Sequence, residues 1–191
     1  MAIQIFKSLK VVLASIVVGI VTLLTIALVA ISYNASYSAV EKSYINQLEN
    51  FNRDIAQQLA AFYGKQEKTA TFFSSTDVVI TGAATKNYGA AIRMLKDYAD
   101  RQGMYQYMFI STAGSDPVMV AATLDKAVGT RWAKEEYRKN IQHALEGRTA
   151  ISPPVKSMVT NLPIILVTAP IKAGNETVGI LGMVVDVGNF S

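Results

Sequence analysis

The chain has 191 residues, 51% of them hydrophobic, with 18 basic and 14 acidic side chains and a formal net charge of +4. Lys7 and Lys10 precede every acid, so the remainder carries 16 of the 18 basic residues against 14 acidic ones, a near balance that gives no ground for a nucleic-acid partner. Cysteine is absent and His143 is the single histidine, which excludes disulfides, thiol catalysis and thiolate metal sites and leaves no usual histidine-based metal centre.

Val11–Ser32 reads VVLASIVVGIVTLLTIALVAIS and contains no ionisable residue. About 20 apolar residues cross the hydrocarbon core as a helix. In lipid the backbone must satisfy its own hydrogen bonds, so the run is predicted to be a transmembrane helix despite its β-branched residues. Lys7 and Lys10 lie before it and no Lys or Arg follows until Lys42, which puts the N-terminus in the cytoplasm and the bulk of the chain outside. A cleaved signal peptide is the competing reading. Its apolar region is shorter and ends in a small-x-small site, for which Ser36-Tyr37-Ser38 is a poor substitute. The expected division is residues 1–10 in the cytoplasm, 11–33 in the membrane, a long outer helix over 34–64 and a globular domain over 65–191.

In Tyr33–Gly64, residues Val40, Ile45, Leu48, Phe51, Ile55, Leu59 and Phe62 recur at helical steps, with Glu41, Lys42, Glu49, Arg53 and Asp54 between them. No Pro or Gly interrupts before Gly64, so one amphipathic helix is expected to run out of the membrane. Its apolar stripe packs on its own domain, forms a dimer seam, or does both, being wider than a strict coiled-coil seam. Next, Ser74-Ser75-Thr76-Asp77 is predicted to cap a short helix over Val78–Thr81, broken by Gly82. A helix over Asn87–Gly103 carries Ala91, Met94, Leu95 and Tyr98 on one face, and another over Lys134–Leu145 is closed by Gly147.

The strand signals come later. Tyr105–Ser111 (YQYMFIS) is followed by the turn Thr112-Ala-Gly-Ser-Asp and a return over Val118–Ala122. Thr149–Ser152 precedes Pro153-Pro154, which suits a strand edge. Ile164–Ala169 and Val178–Val187 are joined by the hairpin turn Ala173-Gly174-Asn175. The fold class expected is α+β: an antiparallel sheet of about five strands, with helices segregated to one face.

No phosphate loop, serine-nucleophile motif or metal-ligand cluster occurs, so the chain is expected not to be an enzyme and to need no cofactor. Two places stand out. Asp186 lies in the apolar run GILGMVVDV and shares a face with Ile180, Gly182 and Val184 by strand alternation. There it either faces a ligand pocket or is solvated at the strand end, because a carboxylate against an apolar layer is costly unless paired. Gly129–Arg138 (GTRWAKEEYR) gathers Arg131, Trp132, Tyr137 and Arg138 near a loop-to-helix junction. Arginine donates to carboxylates and aromatic rings wall small-molecule pockets, although an ordinary surface helix start has the same composition.

From Tyr107 to Ser191 the chain resembles the extracytoplasmic Cache sensor domain of bacterial methyl-accepting chemotaxis proteins. The strings that carry the resemblance are MFISTAG, VMVAATLDKAVGT, YRKNIQHALEGRTAIS, PPVKSMVTNLPIILVTAPI and ETVGILGMVVDVGNFS. It covers about half the chain, and the anchor with its long helix has the family layout. It implies a PAS-like Cache domain with flanking helices in an inner-membrane receptor, the domain being periplasmic or extracellular, and a homodimer. The function implied is small-molecule sensing for chemotaxis. A sensor histidine kinase or diguanylate cyclase input, or a pilin-like structural protein, is the alternative; the pilin reading lacks a Glu near the start of the apolar helix.

The resemblance also implies a ligand site made of Tyr107, Arg131, Trp132, Tyr137, Arg138, Asn140, Ser152, Thr168 and Asp186. Arg138 matches the family's Arg ahead of ALEG, whereas Asn140 stands where an aromatic residue is common. Val184 occupies the usual position of the amine-binding Asp, with Asp186 two residues on. An amino acid or a small organic acid held by Arg138 is therefore the ligand class expected. Family receptors continue beyond such a domain into a second module or a returning helix, so a receptor fragment or a truncated product is expected.

Overall fold

The computed structural model describes residues 2–188. Met1 and residues 189–191, the last of the expected 65–191 domain, lie outside it, as do the side chains of Lys7 and Lys10 on which the orientation was argued. The chain divides into two compact units, Met1–Gln58 and Leu59–Ser191.

The first unit is helical throughout. Helix α1 runs from Ala2 to Ser74, ten residues past Gly64, where the sequence reading ended it: a lone glycine costs only about 1 kcal/mol in a helix interior, and a long flanking helix absorbs that. From Ala14 onward α1 is long and apolar enough to cross a membrane. Ile16, Val18, Leu23, Leu28 and Ile31 all present more than half their surface, as lipid-facing side chains would. The two threonines there need no external partner: Thr22 Oγ1 donates to Val18 O at 2.8 Å and Thr25 Oγ1 to Val21 O at 2.9 Å, one turn back along the helix.

The second unit is a six-stranded antiparallel sheet with helices on both faces. Its elements are α2 (Asp77–Thr85), α3 (Gly89–Gln102), β1 (Tyr105–Ser111), β2 (Met119–Ala122), α4 (Arg138–Leu145), β3 (Ala150–Ile151), β4 (Val155–Lys156), β5 (Pro163–Ala173) and β6 (Glu176–Asp186). The order is β2-β1-β6-β5-β3, with β4 also paired to β5. The β5–β6 hairpin is the centre: both strands have eleven residues, and Gly174, with φ of 64°, turns them as a two-residue loop does. β5 runs through Pro170, four residues further than its sequence suggests. Leu166 exchanges backbone and side-chain bonds with Ser152 on the β3 side. The even-numbered residues of β5 thus face that side, and Pro170, lacking an N–H, falls beyond the short β3 where no ladder bond is lost.

The expected segregation of helices to one face is not observed, because β1, β5 and β6 are apolar on both faces. Met108, Ile110, Ile165, Val167, Leu181 and Met183 form one core with α2, α3 and the end of α1; Tyr107, Phe109, Ile164, Leu166, Ile180 and Val184 form a second under α4 and the segment before it. Leaving either face open would forgo roughly 1.5–3 kcal/mol per large side chain. On the first face Tyr105 Oη donates to Gln66 Oε1 at 2.7 Å, fixing the last turns of α1 to β1.

Three features of the helices differ from expectation. Ser74, Ser75 and Thr76 do not cap α2; their hydroxyls donate back to Thr71 O and Phe72 O at 2.9–3.1 Å, so they satisfy the end of α1. Gly82 does not break α2 but is buried within it, where a Cβ would lie 3.2 Å from Asn87 O and 3.5 Å from Ala91. It is the point of close approach to α3. The expected helix over Lys134–Leu145 is a 3-10 turn (Glu135–Tyr137) leading into α4.

Candidate ligand-binding site

The second core is built around aromatic rings. Strand alternation sends Tyr107 and Phe109 of β1, Ile164 and Leu166 of β5, and Ile180 and Val184 of β6 to the same face. Gly182 lies between the last two, and a Cβ there would overlap the far edge of the Phe109 ring; the missing side chain is what lets that edge rest against β6. Trp132 arrives from the segment after β2. That segment is held back along β2 by Gly129 N to Met119 O (2.8 Å), Met119 N to Thr130 O (3.0 Å) and Trp132 N to Pro117 O (3.2 Å). The Trp132 ring meets Phe109 edge-on at 5.4 Å and Tyr137 at 6.3 Å, and Tyr107 lies 6.1 Å from Phe109.

These rings, with Met119, Met158, Ile164, Leu166 and Val184, line a cavity with about 10 Å³ of free space, at the lower limit for one water. No charged side chain lines it. The phenols are tied to the segment beside β4: Tyr137 Oη donates to Lys156 O at 2.7 Å, and Tyr107 Oη lies 3.4 Å from Ser157 Oγ. Burial pushes the Tyr107 phenol above its ordinary value and that of Tyr137 up to about 12, Tyr107 and Glu136 adding to the latter. The indole Nε1–H of Trp132 is buried without an acceptor.

The nine residues expected to bind a ligand fall into four groups. Tyr107, Trp132 and Tyr137 meet in the cavity. Asn140, Ser152 and Thr168 form a buried network beside it: Asn140 Nδ2 donates to Leu166 O at 3.2 Å and to Thr168 Oγ1 at 3.3 Å, and Ser152 Oγ accepts from Leu166 N at 2.9 Å. Arg131 and Arg138 are outside. Their side chains are 73% and 70% exposed and pair with Asp116 at 2.7 Å and Glu135 at 2.8 Å. Arg138 borders an open groove of about 510 Å³ with Ser115, Ile141, Gln142 and Glu146. Asp186 keeps the alternation, but at the end of β6, half-buried, where its Oδ1 accepts from Gly188 N at 2.8 Å.

Phe109, Ile164, Leu166 and Val184 were not among the expected site residues, although alternation from Tyr107, from Thr168 and from Gly182 puts them on this face. Met119, the first residue of the short β2, and Met158, in an irregular segment, had no such signal. Among the described residues no group of His, Cys, Asp or Glu could hold a metal ion.

No protein-family model and no curated protein matches the chain. Solved structures do. The histidine kinase DctB sensor domain of V. cholerae superimposes with a TM-score of 0.61 at 14% identity over 80% of this chain and 58% of that one. Methyl-accepting Chemotaxis protein X gives 0.56 at 17% identity over 78% and 64%. The ligand-binding domain of the Pseudomonas fluorescens chemoreceptor CtaA, in complex with L-alanine, gives 0.51 at 14% identity over 76% and 60%. The chain therefore spans less than two thirds of each. At these identities the likeness is one of fold: the chain folds as the sensor domains of these chemoreceptors and this histidine kinase do.

Proposed function

We propose that the chain is the input part of a membrane receptor, a domain held outside the cytoplasm that binds a small molecule and passes its occupancy along α1. It is a binding module, not a catalyst. The observation that carries this reading is a buried aromatic cavity in a sensor fold. Helix α1, which contains the membrane-length apolar segment, ends in the core of the same fold through Ala70 and Phe73. A ligand acts on such a helix only by binding two arrangements of the domain unequally. On this reading the anchor lies in the inner membrane with its N-terminus inside, and the receptor is a homodimer.

Chemotaxis signalling is the output we favour, supported by the likeness to two chemoreceptor structures. The likeness to the DctB sensor domain supports a histidine kinase input as the second reading. Thermal unfolding of the chain in micelles, against amino acids, organic acids and uncharged compounds, tests the common core of both. A ligand selective for the folded state stabilises it by about 2.7 kcal/mol at one hundred times its Kd. A saturable rise for one class is expected; a flat response across all classes removes the sensing function.

A further inference from the structure

The cavity has a chemical character of its own, and it is not that of a carboxylate site. Its walls are aromatic rings and thioethers, and no charge reaches it. The two arginines nearest in sequence are engaged with Asp116 and Glu135 at the surface. A carboxylate here would lose its hydration and find no cation. The polar groups of the wall are nearly all in use: the Tyr137 hydroxyl donates to Lys156 O and the Tyr107 hydroxyl faces Ser157 Oγ. One donor is left over. Trp132 is 1% exposed and its Nε1–H has no partner, an arrangement that costs free energy unless something accepts the hydrogen bond.

We propose that this cavity takes a small, uncharged, mostly apolar molecule with one hydrogen-bond acceptor, which receives the Trp132 Nε1–H. The proposal rests on the sensing reading and gives the ligand its chemistry. With about 10 Å³ free, the site must open to admit such a molecule. The wall that can yield is the segment 157–162. It carries Met158, whose flexible thioether fills irregular space, and it is closed on itself by Ser157 N to Leu162 O at 2.8 Å and Asn161 N to Ser157 O at 3.0 Å. It is held down by Tyr107 Oη against Ser157 Oγ and by Thr160 Oγ1 donating to Gln106 Oε1, with Tyr137 Oη fixing Lys156 O just before it. Displacing Met158 loosens these bonds, so the occupied and empty forms differ in that segment, and the ligand thereby distinguishes two states.

Trp132 is the only tryptophan, so its indole N–H gives one resonance in the full-length chain in micelles. Four probes decide the matter: cyclohexanone, methylcyclohexane without the acceptor, cyclohexanecarboxylate with a charge, and L-alanine. Cyclohexanone is expected to shift the indole resonance saturably and to bind roughly tenfold more tightly than methylcyclohexane, the worth of one hydrogen bond. Trp132→Phe should abolish the preference for cyclohexanone over methylcyclohexane by calorimetry, while Arg131→Ala and Arg138→Ala leave cyclohexanone binding unchanged. Should Trp132→Phe not fold, the same ratio is read from the indole shifts of the unmodified chain with the two neutral probes. Saturable binding of cyclohexanecarboxylate or L-alanine that Arg138→Ala abolishes, with cyclohexanone inert, overturns the proposal and leaves the sensing function standing. Silence with all four probes overturns the proposal, while a response to another class in the wider thermal panel would still support sensing.

Discussion

At Gly182 a single methyl group would overlap the ring of Phe109, and the cavity beside the ring has only about 10 Å³ free, too little to take it up. Gly182→Ala should therefore destabilise the domain by about 1–3 kcal/mol, the usual cost of overpacking a filled core. Thermal unfolding checks this. Phe109→Leu in the same background should recover part of the loss, because the smaller side chain vacates the space the methyl needs. The same site makes stability fall in alkali. Burial raises the Tyr107 phenol and puts that of Tyr137 at about 12, against an ordinary value of 10.0. The unfolded chain therefore gives up these protons first as pH rises, so their contribution is whole below pH 10.0 and is lost through about 12 for Tyr137. The unfolding midpoint should drop over that window, with a late phase of phenolate absorbance coincident with unfolding. Tyr137→Phe should flatten the drop; an unchanged slope would mean that the phenol is not buried in solution. Of these residues, Trp132 and Tyr137 were legible together because aromatic rings gathered near a turn suit a pocket, whereas Tyr107, in β1, carried no such local signal. The position of Arg138 was not, since a charge at a helix start reads alike whether it faces a pocket or, as here, Glu135 and solvent.

At the scale of the element, α4 is fastened to the sheet by one polar side chain. Asn140 is 3% exposed and reaches Leu166 O and Thr168 Oγ1 in β5 and, at 3.4 Å, Ala150 O in β3. Asn140→Ala should cost about 1–3 kcal/mol, since it strands buried groups, whereas Arg138→Ala, two residues before the fastening and exposed, should stay within about 0.5 kcal/mol. The pair of melting curves separates a structural Asn140 from one held in reserve for a ligand. Strands were the elements best foreshadowed: β1 coincides with its aromatic, β-favouring run, and the β5–β6 hairpin was marked by Gly174. Helix limits were less legible because hydroxyl residues and glycines have two uses. Ser74 to Thr76 could open a helix or close one, and bonds to Thr71 O and Phe72 O decide for closing. Gly82 could break a helix or let two come close, and the neighbouring Asn87 and Ala91 decide for the second. Helices on both faces became evident only with the sheet, since a near-continuous apolar run such as IILVTA reads the same under one layer or two.

For the molecule as a whole, the first unit poses the open question. Between the membrane-length segment and Gln58, α1 exposes Val40, Tyr44, Ile45, Leu48, Phe51 and Ile55, each by at least 40% of its surface. In that unit α1 is the sole element, so nothing in the chain's own first 58 residues covers the stripe. A second copy anchored in the same bilayer would run parallel to it, and Tyr44, Leu48, Phe51 and Ile55 follow the alternating steps of four and three that keep a seam between two helices. A homodimer through this stripe is thus the expected state of the proposed receptor. The absence of cysteine makes it directly measurable. Single cysteines placed one at a time at Tyr44, Leu48, Phe51 and Ile55 should form disulfide-linked dimers readily in membranes, with yields several times those at Asn46, Arg53 and Gln57, which lie on the opposite side of the helix. A peak on the stripe also fixes what α1 can transmit, since two helices locked along a seam respond to the sensor domain by sliding or rotating against each other. An even profile along residues 40–58 would remove the seam and require the signal to travel through a single helix.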